Sequence, residues 1–124
     1  MPRAWLTSND VTTGLHPGYP DLQDRVYVAP PAHVMAATKD AIRALARWTL
    51  EPGDAGTDTL CAEVKTALGG FTDDVTVHVR PAGPEGKHAR VTVRSRSRVG
   101  RGDLGENARH IRALQRAMDA RLPR

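Results

Sequence analysis

The sequence predicts an α+β domain: an antiparallel sheet of about four to five strands, in the order β-α-β-β-β-β-α, with two helices packed on one face. Three observations carry that expectation. Apolar and polar residues alternate over 59–68, 74–80 and 90–99, the period of a half-buried strand. Two longer stretches, 31–46 and 104–122, repeat apolar residues at helical spacing. Clusters of Gly and Pro separate these stretches by short connections of the kind that join antiparallel neighbours.

Taken in order, residues 1–24 set His16-Pro17-Gly18-Tyr19-Pro20 among polar residues and read as an irregular N-terminal arm, with Trp5, Leu6 and Leu15 available to dock it. A single domain, 25–124, follows. Arg25 to Ala29 is a short strand candidate, and Pro30-Pro31 opens a helix, because proline is tolerated in a first turn. Val34, Thr38, Ala41, Leu45 and Trp48 form its apolar stripe, widened by Met35 and Ile42. His33, in its first turn, reads as a surface residue. Trp48 to Glu51 is a second strand, closed by the turn cluster Pro52 to Gly56.

From Thr59 to Leu68 the alternation sends Leu60, Ala62, Val64 and Thr66 to one face and Thr59, Cys61, Glu63 and Lys65 to the other. A turn around Gly69-Gly70 leads to Val75, Val77 and Val79 alternating with Thr76, His78 and Arg80. A hairpin closed tightly on those glycines sets Lys65 opposite Asp74 and Cys61 opposite His78.

The stretch from Arg90 to Asn107 organises the rest. Val91, Val93, Ser95, Ser97 and Val99 share one face, and Arg90, Thr92, Arg94, Arg96 and Arg98 share the other. Arginines two apart on a strand repel one another unless something negative lies near. If the valines of this strand and of 75–79 share the buried face, Asp74 lies across from Arg94, Arg96 or Arg98, depending on register. Beyond the strand, Asp103 followed by Glu106 resembles a capping box, and Leu104, Ala108, Ile111, Leu114 or Gln115, Met118 and Leu122 form the stripe of a final helix.

The pairing of Phe71-Thr72-Asp73-Asp74 with a later Arg94-Ser95-x-Ser97-Arg98-x-Gly100-x-x-Asp103-Leu104-Gly105-x-Asn107 resembles the signature of an uncharacterised bacterial and plastid family known as domain of unknown function 1499. The resemblance covers about 25–122. It implies a fold and a set of positions but no reaction. Its structural or anion-binding motif comprises Asp73, Asp74, Arg94, Ser95, Ser97, Arg98, Gly100, Asp103, Gly105 and Asn107. One reading gives Gly100, Gly102 and Gly105, with Arg98 and Arg101, an anion held by backbone amides at the helix start. The other makes the same residues an internal staple, with Asp73 or Asp103 capping those amides and the serines bonding backbone.

Composition narrows the function classes. The net charge is +4, but residues 1–79 carry 6 Lys+Arg against 10 Asp+Glu, whereas 80–124 carry 12 against 4. Such asymmetry is one mark of nucleic-acid binding, yet no aromatic residues interleave with the arginines as a base-stacking platform requires. Solvated faces and internal pairs explain it better. The first residues hold no apolar run long enough for a signal peptide or membrane span, so a cytoplasmic location without membrane contact is expected. Cys61 is the one cysteine, which suits a reducing compartment. No phosphate-loop, dinucleotide or zinc-ligand spacing occurs, so no cofactor and no metal are expected.

The reading these features favour is a non-catalytic binding or interaction module for an unknown ligand or protein partner. A nucleic-acid-binding protein using the C-terminal arginines is one alternative. A hydrolase-like enzyme is the other: a Cys61–His78 pair near arginines meets the minimum for thiolate chemistry, though it lacks a third group. Asp73 and Asp74 make a poor metal pair, because neighbours on a strand point to opposite faces.

Overall fold

Valine at alternate positions builds the sheet: Val75, Val77, Val79, Val91 and Val93 are all buried in the computed structural model of the chain, which describes residues 10–52, 58–66, 70–98 and 105–124. The elements are β1 (Asp10–Thr12), β2 (Arg25–Tyr27), α1 (Pro31–Ala44), β3 (Trp48–Leu50), β4 (Thr59–Lys65), β5 (Thr72–Ala82), β6 (His88–Ser97) and α2 (Glu106–Asp119). The strands form one antiparallel sheet in the order β1-β6-β5-β4-β3, and β2 joins β6 on the same edge as β1. The sheet therefore has six strands. The additional one lies in the expected arm.

Residues 10–24 are not irregular throughout. Asp10, Val11 and Thr12 pair with Arg96, Ser95 and Arg94, and Val11, Thr13, His16 and Leu22 are buried. Thr13 extends the contact, donating its amide to Val93 O at 3.0 Å and accepting the Val93 amide on its hydroxyl at 3.1 Å. Three alternating residues are too few to outweigh the Gly and Pro signals that follow them. What makes them a strand is a partner more than eighty residues away.

β5 and β6 form the longest ladder, from Asp73 opposite Ser97 to Ala82 opposite His88. Of the three registers open to the sequence, this is the middle one, with Asp74 across from Arg96. The expected β4–β5 register is corrected by two residues. Glu63, not Lys65, faces Asp74, and Cys61 faces Thr76 rather than His78. The connection is wider than a tight glycine turn, closing where Thr66 N donates to Phe71 O and Phe71 N donates to Thr66 Oγ1. A slip of two keeps every side chain on its own face, so hydrophobic alternation cannot distinguish the two pairings.

Both helices cover the valine face. α1 starts at Pro31 and ends where Leu45 turns extended, burying Val34, Thr38, Ala41 and Ile42. α2 buries Ala108, Ile111, Leu114, Gln115 and Met118, as its spacing predicts, and also Asn107 and His110. Gly105 precedes it in the left-handed conformation at φ 82°, a backbone shape that glycine adopts without steric cost. Asp103 and Leu104, the expected cap and first stripe residue, lie outside the described residues. The C-terminal end is tied to β2. Val28 N donates to Pro123 O at 2.8 Å, Tyr27 Oη donates to Asp119 at 2.6 Å, and Arg25 pairs with the same carboxylate. Burial, with the Asp119 hydrogen bond, pushes the Tyr27 hydroxyl well above the ordinary phenol range. Among the described residues no helix is long and apolar enough to cross a membrane.

Candidate functional site

Side chains that alternate away from the helices meet on the solvent face of the sheet: Thr59, Cys61 and Glu63 from β4, Asp74, Thr76, His78 and Arg80 from β5, and Arg90, Thr92, Arg94 and Arg96 from β6. Arg98, just past β6, continues the row. Acidic residues from elsewhere neutralise most of these arginines. Asp24 accepts from Arg90 at 2.9 Å and lies 3.8 Å from Arg80. Asp10 takes Arg94 in a two-point contact at 2.9 and 2.6 Å. Arg98 spans Asp74 at 2.9 Å and Glu63 at 2.5 Å.

Hydrogen bonding to Arg94 holds the Asp10 carboxyl below the usual carboxylate range, and the same contact raises Arg94. Arg98 is raised by its hydrogen bonds to Asp74 and Glu63. On α2, Arg112 reaches back to Asp21 at 3.0 Å. The acidic early part and the basic late part of the chain thus interlock.

The helix-facing side of the same strands holds the other part of the motif. Asp73 is 2% exposed, and its Oδ2 lies 2.8 Å from His110 Nε2, with the Trp48 ring edge-on to the imidazole at 6.0 Å. Ser95 Oγ donates to Asn107 Oδ1 at 2.6 Å, and Asn107 Nδ2 donates to Ser97 Oγ at 2.9 Å. A single asparagine at the start of α2 therefore bridges two serines that alternate onto the buried face of β6.

The motif residues accordingly form two groups. Asp74, Arg94 and Arg98 lie on the solvent face; Asp73, Ser95, Ser97 and Asn107 lie beneath it, with Gly105 at the helix start. Gly100 and Asp103 lie outside the described residues, as does most of the expected anion site. His110 was not legible as a member. Its position, three after Asn107, was the one available signal, since residues at that spacing share a helix face.

The thiolate pair is not assembled as expected. Cys61 opposes Thr76, while His78 Nδ1 lies 3.0 Å from the Thr59 hydroxyl. Asp73 and Asp74 point to opposite faces, as adjacent strand residues must. Oxygens of Glu51, Glu63 and Asp74 converge within 4.8 Å, but the Arg98 guanidinium already bonds two of these carboxylates.

Two adjoining clefts open on the solvent face. The larger, about 590 Å³, is lined by Asp10, Thr12, Leu15, His16, Thr76, His78, Thr92 and Arg94. The smaller, about 330 Å³, is lined by Asp74, Thr76, Arg94, Arg96, Ser97 and Arg98. They share Thr76 and Arg94. Leu15 stands at the larger cleft 72% exposed, an apolar side chain among hydroxyl, imidazole and guanidinium groups.

A family model described as a protein of unknown function (DUF1499) matches residues 3–118. The chain is similar to the crystal structure of protein CV1439 from Chromobacterium violaceum, with 15% identity over 94% of this chain and 99% of that one and a TM-score of 0.46. It is also similar to the crystal structure of TTHA0849 from Thermus thermophilus, with 12% identity over 90% of this chain and 97% of that one and a TM-score of 0.40. A search of curated proteins finds no match.

Proposed function

The chain belongs to the family described as protein of unknown function (DUF1499), and from that premise we propose that it is a non-catalytic binding module whose small-molecule ligand lies along the solvent face of the sheet. The observation that supports this is the larger cleft, where Thr12, Thr76, His78 and Thr92 offer hydrogen-bonding groups around the exposed Leu15. A concave site with a few convergent polar groups beside apolar surface is the usual form of a small-ligand pocket.

Two competing readings lose support. Nucleic-acid affinity draws on cations free to displace counter-ions from phosphates, and Arg80, Arg90, Arg94, Arg98 and Arg112 are each engaged by a carboxylate of the chain itself. Thiolate hydrolysis requires a base within hydrogen-bond reach of the sulfur, and the residue opposite Cys61 is a threonine.

The test is a two-dimensional amide NMR screen of the full chain against a library of small polar-aromatic fragments, run beside heparin chromatography at several salt concentrations. Hits whose shifts cluster at Leu15, Thr76, His78 and Thr92 are expected, with elution from heparin at low salt. Hits scattered over the surface, or strong salt-dependent retention without cleft hits, would overturn the reading.

A further inference from the structure

Arg96 is the exception on the arginine face. It lies directly across from Asp10 on one side and Asp74 on the other. Both carboxylates nevertheless turn to the neighbouring arginines, Asp10 to Arg94 and Asp74 to Arg98. Among the described residues Arg96 makes no hydrogen bond or ion pair, and it is exposed in the wall of the smaller cleft.

We propose that Arg96 is the docking point for a single anionic group, a carboxylate or a phosphate monoester, on the ligand whose body occupies the adjoining larger cleft; this rests on the binding-module reading above. A guanidinium presents paired N–H donors whose planar geometry matches such a group, and the donors of this one are not taken by any described residue of the fold. Thr76 and Arg94 line both clefts, so the space beside the Arg96 guanidinium adjoins the larger cleft.

The surroundings limit the charge the site accepts. Asp10, Asp74, Glu63 and the nearby Glu51 outnumber Arg94, Arg96 and Arg98 by one, so the patch carries no net positive charge. A polyanion would meet those carboxylates as well as the arginines. A ligand with one anionic group at Arg96 and a partly apolar body avoids that repulsion.

The experiment compares phenylacetate, its neutral analogue phenylacetamide and inorganic phosphate in amide NMR titrations of the full chain, the Arg96→Gln variant and the Arg96→Lys variant. Phenylacetate is expected to shift Thr76, Thr92 and Arg96 and to bind at least about tenfold more tightly than phenylacetamide. Arg96→Gln should abolish that preference, and Arg96→Lys should retain part of it. Phosphate should shift Arg96 without reaching Leu15. Arg96 has no hydrogen-bond or ion-pair partner among the described residues and acts on Asp10 through space, so both variants should unfold cooperatively close to the wild type, which separates lost binding from lost structure.

Equal affinity for acid and amide, undiminished binding of phenylacetate to Arg96→Gln, or no shift at Arg96 with any anion overturns the assignment of Arg96. Neutral fragments still bound at Leu15 and Thr76 in that case leave the binding-module reading standing. Loss of all cleft binding removes both.

Discussion

His110 Nε2 lies 2.8 Å from Asp73 Oδ2, so the last helix is joined to β5 by a buried polar contact beneath the valine face of the sheet. Removing one partner of such a pair strands the other away from water, which costs more than the pair itself contributes. Asp73→Ala should lower unfolding stability by about 3 kcal/mol in urea titrations. The double variant with His110→Ala should lose clearly less than the two single changes combined. Strict additivity would mean that the contact carries no coupling energy.

Asn107 bridges Ser95 and Ser97; Asn107 and Ser95 are fully buried, and Ser97 is half-buried at the smaller cleft. An alanine there leaves the fully buried Ser95 hydroxyl without its partner and frees the half-buried Ser97 hydroxyl. The expected loss for Asn107→Ala is about 2 kcal/mol, with increased amide exchange in the first turn of α2. Asn107→Asp should be worse than a neutral change, because it removes the donor to Ser97 and buries a charge. Wild-type exchange in that turn would show that the bridge does not anchor the helix.

Strong acid should weaken the β1–β6 edge. The Asp10 carboxyl is held below the ordinary range by Arg94, so the fold binds its proton less readily than the unfolded chain does. The contribution is therefore fully present above the ordinary aspartate range, near pH 4, and is lost as pH falls through the lower folded value. Asp10→Asn should melt below wild type at neutral pH, and the two should converge in strong acid. A constant gap from pH 7 to pH 2 would place the effect elsewhere than in this ionisation.

Arg98 acts as counter-ion to Glu63 and Asp74, with Glu51 close by. In the wild type, added sodium chloride screens an attraction. In Arg98→Ala it screens the mutual repulsion of carboxylates instead. The salt dependence of the melting temperature should therefore shift toward stabilisation in the variant. Parallel curves for the two proteins would contradict this assignment.

Legibility in the sequence followed the range of the interaction. Alternation at 75–79 and 91–95 identified the buried face, and helical spacing identified Ile111, Leu114 and Met118, because these patterns repeat within a single element. The facing of Asp74 and the arginines was legible as a choice of three registers, since alternation is blind to shifts of two. The same blindness displaced Cys61 from His78 to Thr76. β1 was missed because three residues carry almost no periodic signal and their partner lies far along the chain. His110 and the diagonal choice of Arg98 over Arg96 by Asp74 depend on side-chain geometry between elements, which spacing alone does not encode.

β6 receives β5 along one side and both β1 and β2 along the other, although those two ribbons are made first and β6 last. On the ribosome, residues 10–27 must leave the exit tunnel long before their hydrogen-bonding partner is translated. The β4–β5 hairpin can close before β6 is made, whereas the outer edge has to await β6 itself. A nascent chain halted before residue 88 would thus hold β1 and β2 unzipped, exposed to the aggregation that chaperones prevent until β6 arrives.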